Sequence, residues 1–504
     1  MNNSVNDNIL NNPSLTISKI KFNNDKEIFF NDDDIVIFVG ANNVGKSRAL
    51  KDIKDDILEK KTDKVIIKEI EYKDSNFIEK NKKGDTDMAS DQFFKNNYDN
   101  EMEKNGDYNI TIDRNNAQYY DKNHFKNILL NKKQFYKVLF SFLSTENRLN
   151  MTSPISYNFI EDKVSLNIMR KLEKDTQAIT KLNDILNSCF GKAIDISEEV
   201  NNNSLSKLYK FGTKEEISKT INTNTREARS LLESLDDLNE QGDGIRSAVA
   251  ILSSLIANEH TLYLIDEPET FLHPPQARIL GNNIVELSKN KQCFISTHNI
   301  DLIRGILENK SSRIKIIKIN RNENKNEFHI IDNASISRIA NDKNLKYSNI
   351  LNGLFYSTVV LCENESDCKF YSAILEHLDS NIYQNVLFCA VGGKDQFKII
   401  IPLLQKLKIN YVIIADLDLI DNRERLKNLL NSIEENKYAQ ISEAHNNFLN
   451  LFEQGTDNQI KKQKAIKEEI LSLFTKDDYM SEETANKIKL TLKKIRYLKL
   501  LKNT

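Results

Sequence analysis

Continuous apolar runs alternate with helical patterns along much of the chain, and this alternation predicts parallel strands that are buried on both faces. The first run is Ile35–Val39, and a helical pattern over residues 46–59 follows it. Three more runs, TLYLIDE, QCFIST and RIKIIKI, lie between residues 261 and 319. A second series begins with STVVLCE at residue 357 and continues through NVLFCAV to NYVIIADLD, which ends at residue 418. The pattern predicts an α/β protein with two parallel sheets.

Other stretches have different patterns. Residues 14–22 (SLTISKIKF) alternate apolar and polar positions, which predicts an edge strand. Between residues 60 and 235, strand-like pieces (DKVIIKEIEY, DYNITIDR) give way to helical ones (KQFYKVLFSFL, VSLNIMRKLEKDTQAITKLNDIL). This order predicts an antiparallel part and then a helical insertion, which also serves as a dimerisation segment, over about 150–235. After Asp421 the pattern is helical up to residue 504.

Length and composition narrow the classes of protein. A chain of 504 residues predicts more than one domain, and we expect domains over residues 1–345 and 350–425 with a helical extension over 426–504. The net charge of -2 gives no global attraction to nucleic acid, so DNA binding would need a local basic patch. Five cysteines without a Cys-x-x-Cys pair predict neither a zinc site nor a disulfide framework. With no apolar run long enough to cross a bilayer, we expect a soluble cytoplasmic protein.

The segment GANNVGKS at residues 40–47 fits the phosphate-binding loop pattern G-x-x-x-x-G-K-[ST]. A buried strand precedes it and a helix follows it, so the helix N-terminus faces a bound anion. Lys46 is expected to reach the β- and γ-phosphates of ATP, and the Ser47 hydroxyl is expected to hold Mg²⁺. The alternative is a chance match in a chain rich in Lys and Asn. The predicted nucleotide-binding residues of the loop are Gly40, Asn42, Asn43, Gly45, Lys46 and Ser47.

A second group of polar residues follows the later strands of the first series. Asp266 and Glu267 end the run TLYLIDE, where one carboxylate can hold Mg²⁺ and the next can polarise the attacking water. His298 follows the next strand, where an imidazole can contact the γ-phosphate. The alternative for His298 is a core or capping histidine. Arg148, in STENRLN, is a weaker candidate for the adenine-side and water-positioning contacts.

Carboxylates also collect after the strands of the second series. Glu363 follows one strand and Asp367 lies in the first turn of the next helix, while Asp416 and Asp418 end a later strand on one of its faces. Parallel strands bring their carboxyl ends to one edge of the sheet, and a divalent metal such as Mg²⁺ removes the repulsion between grouped carboxylates. Lys394 lies between them in AVGGKDQF. The alternative is a set of solvated helix caps.

The first set of motifs resembles the ABC-type ATPase heads of the SMC and overcoming-lysogenization-defect (OLD) kind, and DEPETFLHP at residues 266–274 is especially close. The resemblance implies that Asp266 is the Walker B aspartate, Glu267 the catalytic glutamate and His298 the switch histidine. It also implies a homodimer of heads. The segment QGDGIRSAVAIL stands where the family has its signature loop. A γ-phosphate held by another subunit is expected to meet either backbone N–H groups at Gly242 and Gly244 or the side chain of Ser247. The alternative is an ordinary glycine-rich turn.

The second set resembles a TOPRIM domain, and ENESDCKFYSAIL and ADLDLIDN are similar to predicted ATP-dependent endonucleases of bacterial anti-phage systems. The resemblance implies metal-binding and catalytic roles for Glu363 and for the pair Asp416 and Asp418. It also implies that Asp367 is the aspartate that OLD-type members add and that Lys394 is the lysine of their GGK motif. Those relatives usually have a further acidic element beyond this point, and none is found in this chain.

These motifs together predict an ATP-regulated, Mg²⁺-dependent or Mn²⁺-dependent DNA endonuclease that acts in anti-phage defence. The expected partners are DNA, a second copy of the chain and a co-encoded defence protein or nucleic acid, with no membrane. The alternative is a regulatory ATPase whose TOPRIM fold binds nucleic acid or a partner protein without cutting. The C-terminal segment from Lys487 to Lys502 combines an apolar helical stripe with seven basic residues, which predicts either a phosphate-binding face or a helix packed on the TOPRIM sheet.

Overall fold

The computed structural model describes part of the chain, in two compact units. The units are Met1–Lys346 with Leu351–Ser357, and Tyr347–Ile350 with Thr358–Thr504. The sequence predictions for DYNITIDR, for the helical pattern beyond residue 450 and for the segment from Lys487 to Lys502 lie outside the described residues, and the domain limits stay predictions. No helix in the described part is long and apolar enough to span a membrane. The described residues are 14–60, 63–75, 136–137, 139–158, 168–201, 204–221, 225–257, 260–322, 325–331, 334 and 349–450.

The first unit contains three sheets and the helices around them. Its strands are β1 (Ser14–Phe22), β2 (Glu27–Phe29), β3 (Ile35–Val39), β4 (Ile67–Ser75), β5 (Phe140–Leu143), β6 (Ile155–Asn158), β7 (Ala193–Asn201), β8 (Ser204–Gly212), β9 (Asp236–Asp237), β10 (Leu262–Asp266), β11 (Gln292–Ser296), β12 (Ile314–Asn322) and β13 (Lys325–Ile331). Its helices are α1 (Lys46–Ile57), α2 (Thr145–Met151), α3 (Ile168–Lys174), α4 (Thr176–Phe190), α5 (Lys214–Thr220), α6 (Arg226–Ser234), α7 (Asp243–Ala257), α8 (Pro274–Leu287) and α9 (Ile300–Glu308).

The central sheet has six strands in the order β13-β12-β3-β11-β10-β5, and only β13 runs antiparallel to its neighbour. Every residue of β3 and β11 is buried, as the continuous apolar runs predict. The register aligns Asp266 with Ser296 and Ser296 with Phe38. The carboxyl ends of β3, β10 and β11 therefore meet at one edge of the sheet, where the predicted ATP-site residues follow them.

Two elements outside this pattern differ from their predictions. Strand β1 is the central strand of the sheet β2-β1-β4, so the prediction of an edge strand was wrong. Its alternation arises because one face packs into the core through Leu15, Ile17 and Ile20. The segment FSFL is strand β5 rather than helix, because it pairs in parallel with β10, more than a hundred residues away.

The segment over about 150–235 is mixed rather than helical. Helices α3 to α6 lie in it, but so does an antiparallel sheet in the order β6-β8-β7, with β9 also paired to β8. The prediction of helices alone missed β7 and β8, two nine-residue strands joined as a hairpin. The strand pattern of β8 is hard to recognise in the sequence, because two of its buried residues are lysines. Lys207 is paired with Glu173 and Glu198, and Lys210 is paired with Asp237.

The second unit is built on a three-stranded parallel sheet in the order β15-β14-β16. This confirms the predicted second α/β unit. Its described elements are β14 (Thr358–Cys362), α10 (Glu365–Leu378), α11 (Ser380–Tyr383), β15 (Val386–Ala390), α12 (Phe397–Lys406), β16 (Tyr411–Ile414) and α13 (Arg423–Ile433), and residues 437–450 are also helical.

Candidate functional site

The phosphate loop joins β3 to α1 and depends on its two glycines. Gly40 and Gly45 have φ values of 151° and 101°, which side-chain-bearing residues rarely adopt. A Cβ on Gly40 would lie 2.3 Å from the Ile319 carbonyl oxygen, and one on Gly45 would lie 2.4 Å from Ile66 Cδ1. The loop therefore fits only with glycine at both positions. Asn43 also has a positive φ, at 62°.

Lys46 is the first residue of α1, and its side chain is nearly buried. Its Nζ donates to the carbonyl oxygens of Gly40 and Ala41, both at 2.9 Å, so the ammonium lies within the loop. Burial lowers the pKa of Lys46, while the nearby carboxylates of Glu267, Glu269 and Asp266 oppose this shift. The positive group thus lies where it can face phosphate oxygens. Ser47, the next residue, is half-buried, and its role toward Mg²⁺ stays a prediction.

Asp266 and Glu267 lie at the carboxyl end of β10, beside the end of β11. The Ser296 hydroxyl donates to Asp266 Oδ1, and the Glu267 N–H donates to the Ser296 carbonyl at 3.0 Å. Glu267 has a φ of 46°, so the chain leaves the strand in the left-handed region at this residue.

Arg148 has a structural role that differs from its prediction. The side chain is fully buried in α2, and burial lowers its pKa to about 10 although the nearby acidic groups raise it. Its guanidinium donates to the carbonyl oxygens of Asp266 (2.6 Å) and Glu267 (3.0 Å). Arg148 therefore holds the main chain of Asp266 and Glu267 in place. The prediction that it contacts adenine or positions water was wrong.

Ser247 also differs from its prediction. It is fully buried in α7, and its Oγ accepts a hydrogen bond from Arg148 Nε at 2.7 Å. A hydroxyl in this position cannot meet a phosphate held by another subunit. The two glycines before it remain candidates, because Gly242 and Gly244 lie at the start of α7, where backbone N–H groups lack helical partners. A Cβ on Gly244 would lie 2.4 Å from the Phe271 carbonyl oxygen, so a side chain is excluded there.

His298 lies beside Glu267 at the carboxyl end of β11. Its Nδ1 is 3.4 Å from Glu267 Oε1 and 3.6 Å from Glu269 Oε1. The hydrogen bond to Glu267 raises the pKa of His298 and lowers that of Glu267, so the pair favours an imidazolium beside a carboxylate. The side chain is half exposed, and Asn299 rather than His298 caps α9. His298 is therefore neither a core histidine nor a capping histidine.

Three carboxylates of the second unit form one group. The ligand oxygens of Glu363, Asp416 and Asp418 all lie within 4.8 Å of one another. Glu363 follows β14 and is buried, whereas both aspartates are exposed. The Asp416 N–H donates to Glu363 Oε1 at 3.1 Å, which ties the ends of β14 and β16 together. Burial raises the pKa of Glu363, and the two aspartates add to this rise. A cation would relieve both effects, so the group fits a divalent metal.

The aspartates come together by a different route from the one predicted. Strand β16 ends at Ile414, and Leu417–Leu419 forms a single 3₁₀ turn. Asp416 and Asp418 are therefore brought together by this turn and not by the alternation of a strand. The turn closes through the Leu419 N–H, which donates to the Asp416 carbonyl at 3.0 Å.

Lys394 lies against the same group. Its Nζ donates to Asp418 Oδ1 and is 3.8 Å from Glu363 Oε1. Burial opposes its charge, but the hydrogen bond to Asp418 and the surrounding carboxylates raise the pKa of Lys394 overall. The preceding Gly392 and Gly393 have positive φ values, and both N–H groups donate to the Glu363 carbonyl. The glycine turn thereby brings the lysine to the carboxylates.

Asp367 lies outside this group, as the helix-cap alternative predicts. Its Oδ2 accepts a hydrogen bond from the Asn364 N–H at 3.1 Å, at the first turn of α10. The metal-binding role that the resemblance implies for Asp367 stays a prediction.

His445 is a residue that the sequence analysis missed. It is buried, its Nε2 lies 2.7 Å from the Ile420 carbonyl oxygen, and its Nδ1 lies 2.9 Å from the Tyr438 hydroxyl. The Ile420 carbonyl can only accept, so Nε2 donates to it, and Nδ1 shares a hydrogen bond with the Tyr438 hydroxyl, which satisfies both nitrogens. The helix over residues 437–450 thus holds the chain two residues beyond Asp418. No local motif marks this contact, because its partners lie 25 residues apart.

Two family models match this chain. The model described as "AAA domain, putative AbiEii toxin, Type IV TA system" matches residues 190–304, which include Asp266, Glu267 and His298. The model described as "Overcoming lysogenization defect protein-like, TOPRIM domain" matches residues 354–418, which include the three grouped carboxylates. The chain joins an AAA-type ATPase domain to an OLD-like TOPRIM domain. The resemblance to the OLD family and the α/β fold are confirmed.

Two curated relatives match parts of this chain. The Old nuclease of Escherichia phage P2 is 25% identical over 171 residues, which cover 32% of this chain and 28% of that protein. An uncharacterized protein of Methanocaldococcus jannaschii is 36% identical over 74 residues, which cover 14% of this chain and 63% of that protein. The chain thus spans under a third of the nuclease and under two thirds of the archaeal protein.

Solved structures that match include ATPase heads and cassettes. The SMC head bound to the C-winged helix domain of ScpA matches at 12% identity and a TM-score of 0.37, over 63% of this chain and 98% of that chain. The ADP conformation of an ATP-binding cassette of an ABC transporter matches at 14% identity and a TM-score of 0.26, over 66% and 97%. The fold assignment rests on the strand order and the phosphate loop described above.

Proposed function

We propose that this protein is an ATP-regulated, Mg²⁺-dependent DNA endonuclease that acts as an anti-phage defence effector. The observation that carries the proposal is the group of Glu363, Asp416 and Asp418 with Lys394 beside it, in a chain that also has an ATPase domain. Its substrates are ATP and DNA, and its second partner is another copy of the chain. A co-encoded protein or nucleic acid would supply the trigger.

At the ATPase site, each residue has a task that its position supports. Lys46 would leave the loop carbonyls to pair with the β- and γ-phosphate oxygens, and Ser47 and Asp266 would hold the Mg²⁺ that accompanies ATP. Glu267 is exposed enough to reach water and has a lowered pKa, so it is an anion that can polarise the attacking water. His298, held beside it, can donate to the γ-phosphate.

At the TOPRIM site, Glu363, Asp416 and Asp418 would hold Mg²⁺ or Mn²⁺. A bound divalent ion supplies an activated water and offsets charge on a phosphodiester without a protein nucleophile. Lys394 lies where its ammonium can move from Asp418 to a phosphate oxygen that gains charge during cleavage. His445 keeps the turn that carries both aspartates in place.

One observation favours the second candidate, a regulatory ATPase that binds nucleic acid or a protein without cutting. Among the described residues, one group of three carboxylates could hold a metal ion, and Lys394 already neutralises part of its charge. A two-metal mechanism needs ligands for both ions. An acidic group whose charge is partly neutralised by a lysine could instead be a structural feature of a binding surface.

Plasmid nicking distinguishes these candidates. We expect the purified chain to convert supercoiled plasmid to open-circular DNA with Mg²⁺ or Mn²⁺, and EDTA to stop the conversion, because the carboxylates require a cation to hold the phosphodiester. The measurement is gel electrophoresis with no nucleotide, with ATP and with a non-hydrolysable analogue. Absence of nicking under all three conditions with both metals would favour the regulatory ATPase.

ATP is also expected to change the assembly of the chain. A γ-phosphate bound at the loop is expected to meet the backbone N–H groups at Gly242–Gly244 of another copy, because these groups have no helical partners. Light scattering at micromolar concentration should show a larger mass, or a more stable oligomer, when ATP is present. A monomer both with and without ATP would contradict this arrangement.

A further inference from the structure

Glu269 is a buried acidic residue that no step of the proposed ATPase mechanism uses. It lies two residues after Glu267 in the turn DEPET, and its side chain is only 2% exposed. The turn is tight: the Thr270 N–H donates to the Glu267 carbonyl, and the Leu272 N–H donates to the Glu269 carbonyl. The main chain therefore directs the Glu269 side chain inward, toward the end of β11.

One oxygen of Glu269 makes contacts with two consecutive residues at the end of β11. Oε1 accepts from the Thr297 hydroxyl at 2.6 Å and from the His298 N–H at 3.1 Å, and it lies 3.6 Å from His298 Nδ1. Thr297 in turn accepts from the Asn299 N–H at 3.0 Å, and Asn299 caps α9. The Glu269 carboxyl is thus the point at which the turn after β10 is joined to the turn that carries His298.

The two glutamates of this turn have opposite environments. Glu267 is partly exposed and its pKa is lowered by His298, whereas burial raises the pKa of Glu269 although Thr297 and His298 donate to it. The other oxygen of Glu269, Oε2, is buried with no hydrogen-bond partner among the described residues. Burial therefore opposes the charge of this carboxyl, while the donors at Oε1 favour it. The cationic groups that face it are His298, Lys46 and Arg148.

We propose that Glu269 is a positioning residue for ATP hydrolysis, which holds the main chain at Thr297 and His298 so that the imidazole stays beside Glu267. This proposal deepens the proposed ATPase function and rests on it. Because the contacts of Oε1 to Thr297 and His298 are hydrogen bonds that a neutral oxygen can also accept, a side chain with the same acceptor should replace Glu269. Glu267 has the opposite requirement, since its own charge is needed to polarise water.

The test compares Glu269→Gln, which keeps the acceptor, with Glu269→Met, which has a similar volume and no acceptor. We expect Glu269→Gln to keep kcat within about threefold of the unchanged protein, and Glu269→Met to lower kcat roughly tenfold to hundredfold. The KM for ATP and the affinity for a fluorescent ATP analogue should change little in both, because Lys46 and the loop are untouched. Glu267→Gln is the matched control, and it should lose hydrolysis in the same assay. Thermal unfolding checks that each variant is folded.

A second readout does not depend on activity. Histidine-selective NMR of a chain with 7 histidines, assigned with His298→Asn, gives the pKa of His298. We expect Glu269→Gln to keep most of the raised pKa, because the hydrogen bond to Glu267 is its largest cause, and Glu269→Met to lower the pKa further toward that of free histidine, because the ring is no longer held at Glu267. Folded Glu269→Met with unchanged kcat and unchanged His298 pKa would overturn the proposal, as would a Glu269→Gln variant as inactive as Glu267→Gln. If the unchanged protein hydrolyses no ATP, the proposed ATPase function fails, and the NMR titration still decides whether Glu269 positions His298.

Discussion

Replacing Glu363 or Asp416 with alanine is expected to abolish DNA cleavage and to leave ATP hydrolysis nearly unchanged. Each substitution removes one of three carboxylates that lie within 4.8 Å of one another, and the remaining two cannot hold a divalent cation in the same position. Loss of a residue that merely supports a metal ligand costs ~10–100-fold, so loss of a ligand should cost at least about 100-fold. The ATP-site residues belong to the other compact unit, which is why hydrolysis should continue. The measurements are plasmid nicking and phosphate release on the same preparations.

Three further variants test whether the loss of DNA cleavage is specific to the three grouped carboxylates. Asp395→Ala removes an exposed carboxylate of the same unit that pairs with Arg425 and lies outside the group, so it should leave cleavage unchanged. Lys394→Ala should weaken cleavage less than Glu363→Ala, because it removes one charge and leaves all three carboxylates. Asp367→Asn keeps an acceptor for the Asn364 N–H, so loss of cleavage in this variant would support the role implied by the OLD resemblance. Equal nicking by Glu363→Ala and by the unchanged protein would contradict the assignment of the site.

The local patterns of the chain carried enough information to predict the parts of both sites that follow strands. A five-residue apolar run must be buried on both faces, and the polar residues after it then lie at the edge of the sheet. This reasoning placed Asp266 and Glu363 at the carboxyl ends of their strands, and Lys46 at the start of the helix that follows β3. Each depends on residues within a few positions along the chain, which is the range that periodicity can report.

Sequence periodicity could not predict contacts between segments that are far apart along the chain. Arg148 was taken for a nucleotide contact, yet it donates to the main chain of Asp266, 118 residues away, and to Ser247, 99 residues away. The same contact removes the Ser247 hydroxyl from the surface. A basic residue in a polar-looking segment gives no sign of full burial, because the acceptors that satisfy it are carbonyl groups present at every position of any sequence.

Glu269 shows a second limit of sequence reasoning. The motif DEPET contains three acidic residues, and nothing in their spacing says which is exposed, which is ionised and which is buried. The structure separates them through the left-handed turn at Glu267, which aims Glu269 at Thr297. In the second unit, strand alternation in the sequence predicted that Asp416 and Asp418 lie together. The structure brings the same two aspartates together by a 3₁₀ turn after β16.

Glu267→Gln is expected to bind ATP and fail to hydrolyse it, while Lys46→Ala is expected to fail at binding. The glutamine amide that replaces the Glu267 carboxylate is neutral and cannot polarise water, and general-base groups contribute about 10²–10⁴-fold to a rate. Removing Lys46 removes a charge-assisted contact to phosphate, worth ~1.5–3 kcal/mol, together with the hydrogen bonds that shape the loop. Equilibrium binding of a fluorescent ATP analogue and steady-state phosphate release measure the two steps separately.

Folding controls decide how these two variants are interpreted. The Lys46 ammonium donates to two loop carbonyls in a nearly buried position, so Lys46→Met, which keeps the apolar length of the side chain, separates loss of charge from loss of packing. Lys46→Met and Lys46→Ala should be equally unable to bind ATP if the charge is what matters. Glu267→Gln should also retain any ATP-dependent oligomer, because ATP stays bound. Hydrolysis by Glu267→Gln at the unchanged rate would show that another group polarises the water, and Glu269, in the same turn, would then be the first residue to reassign.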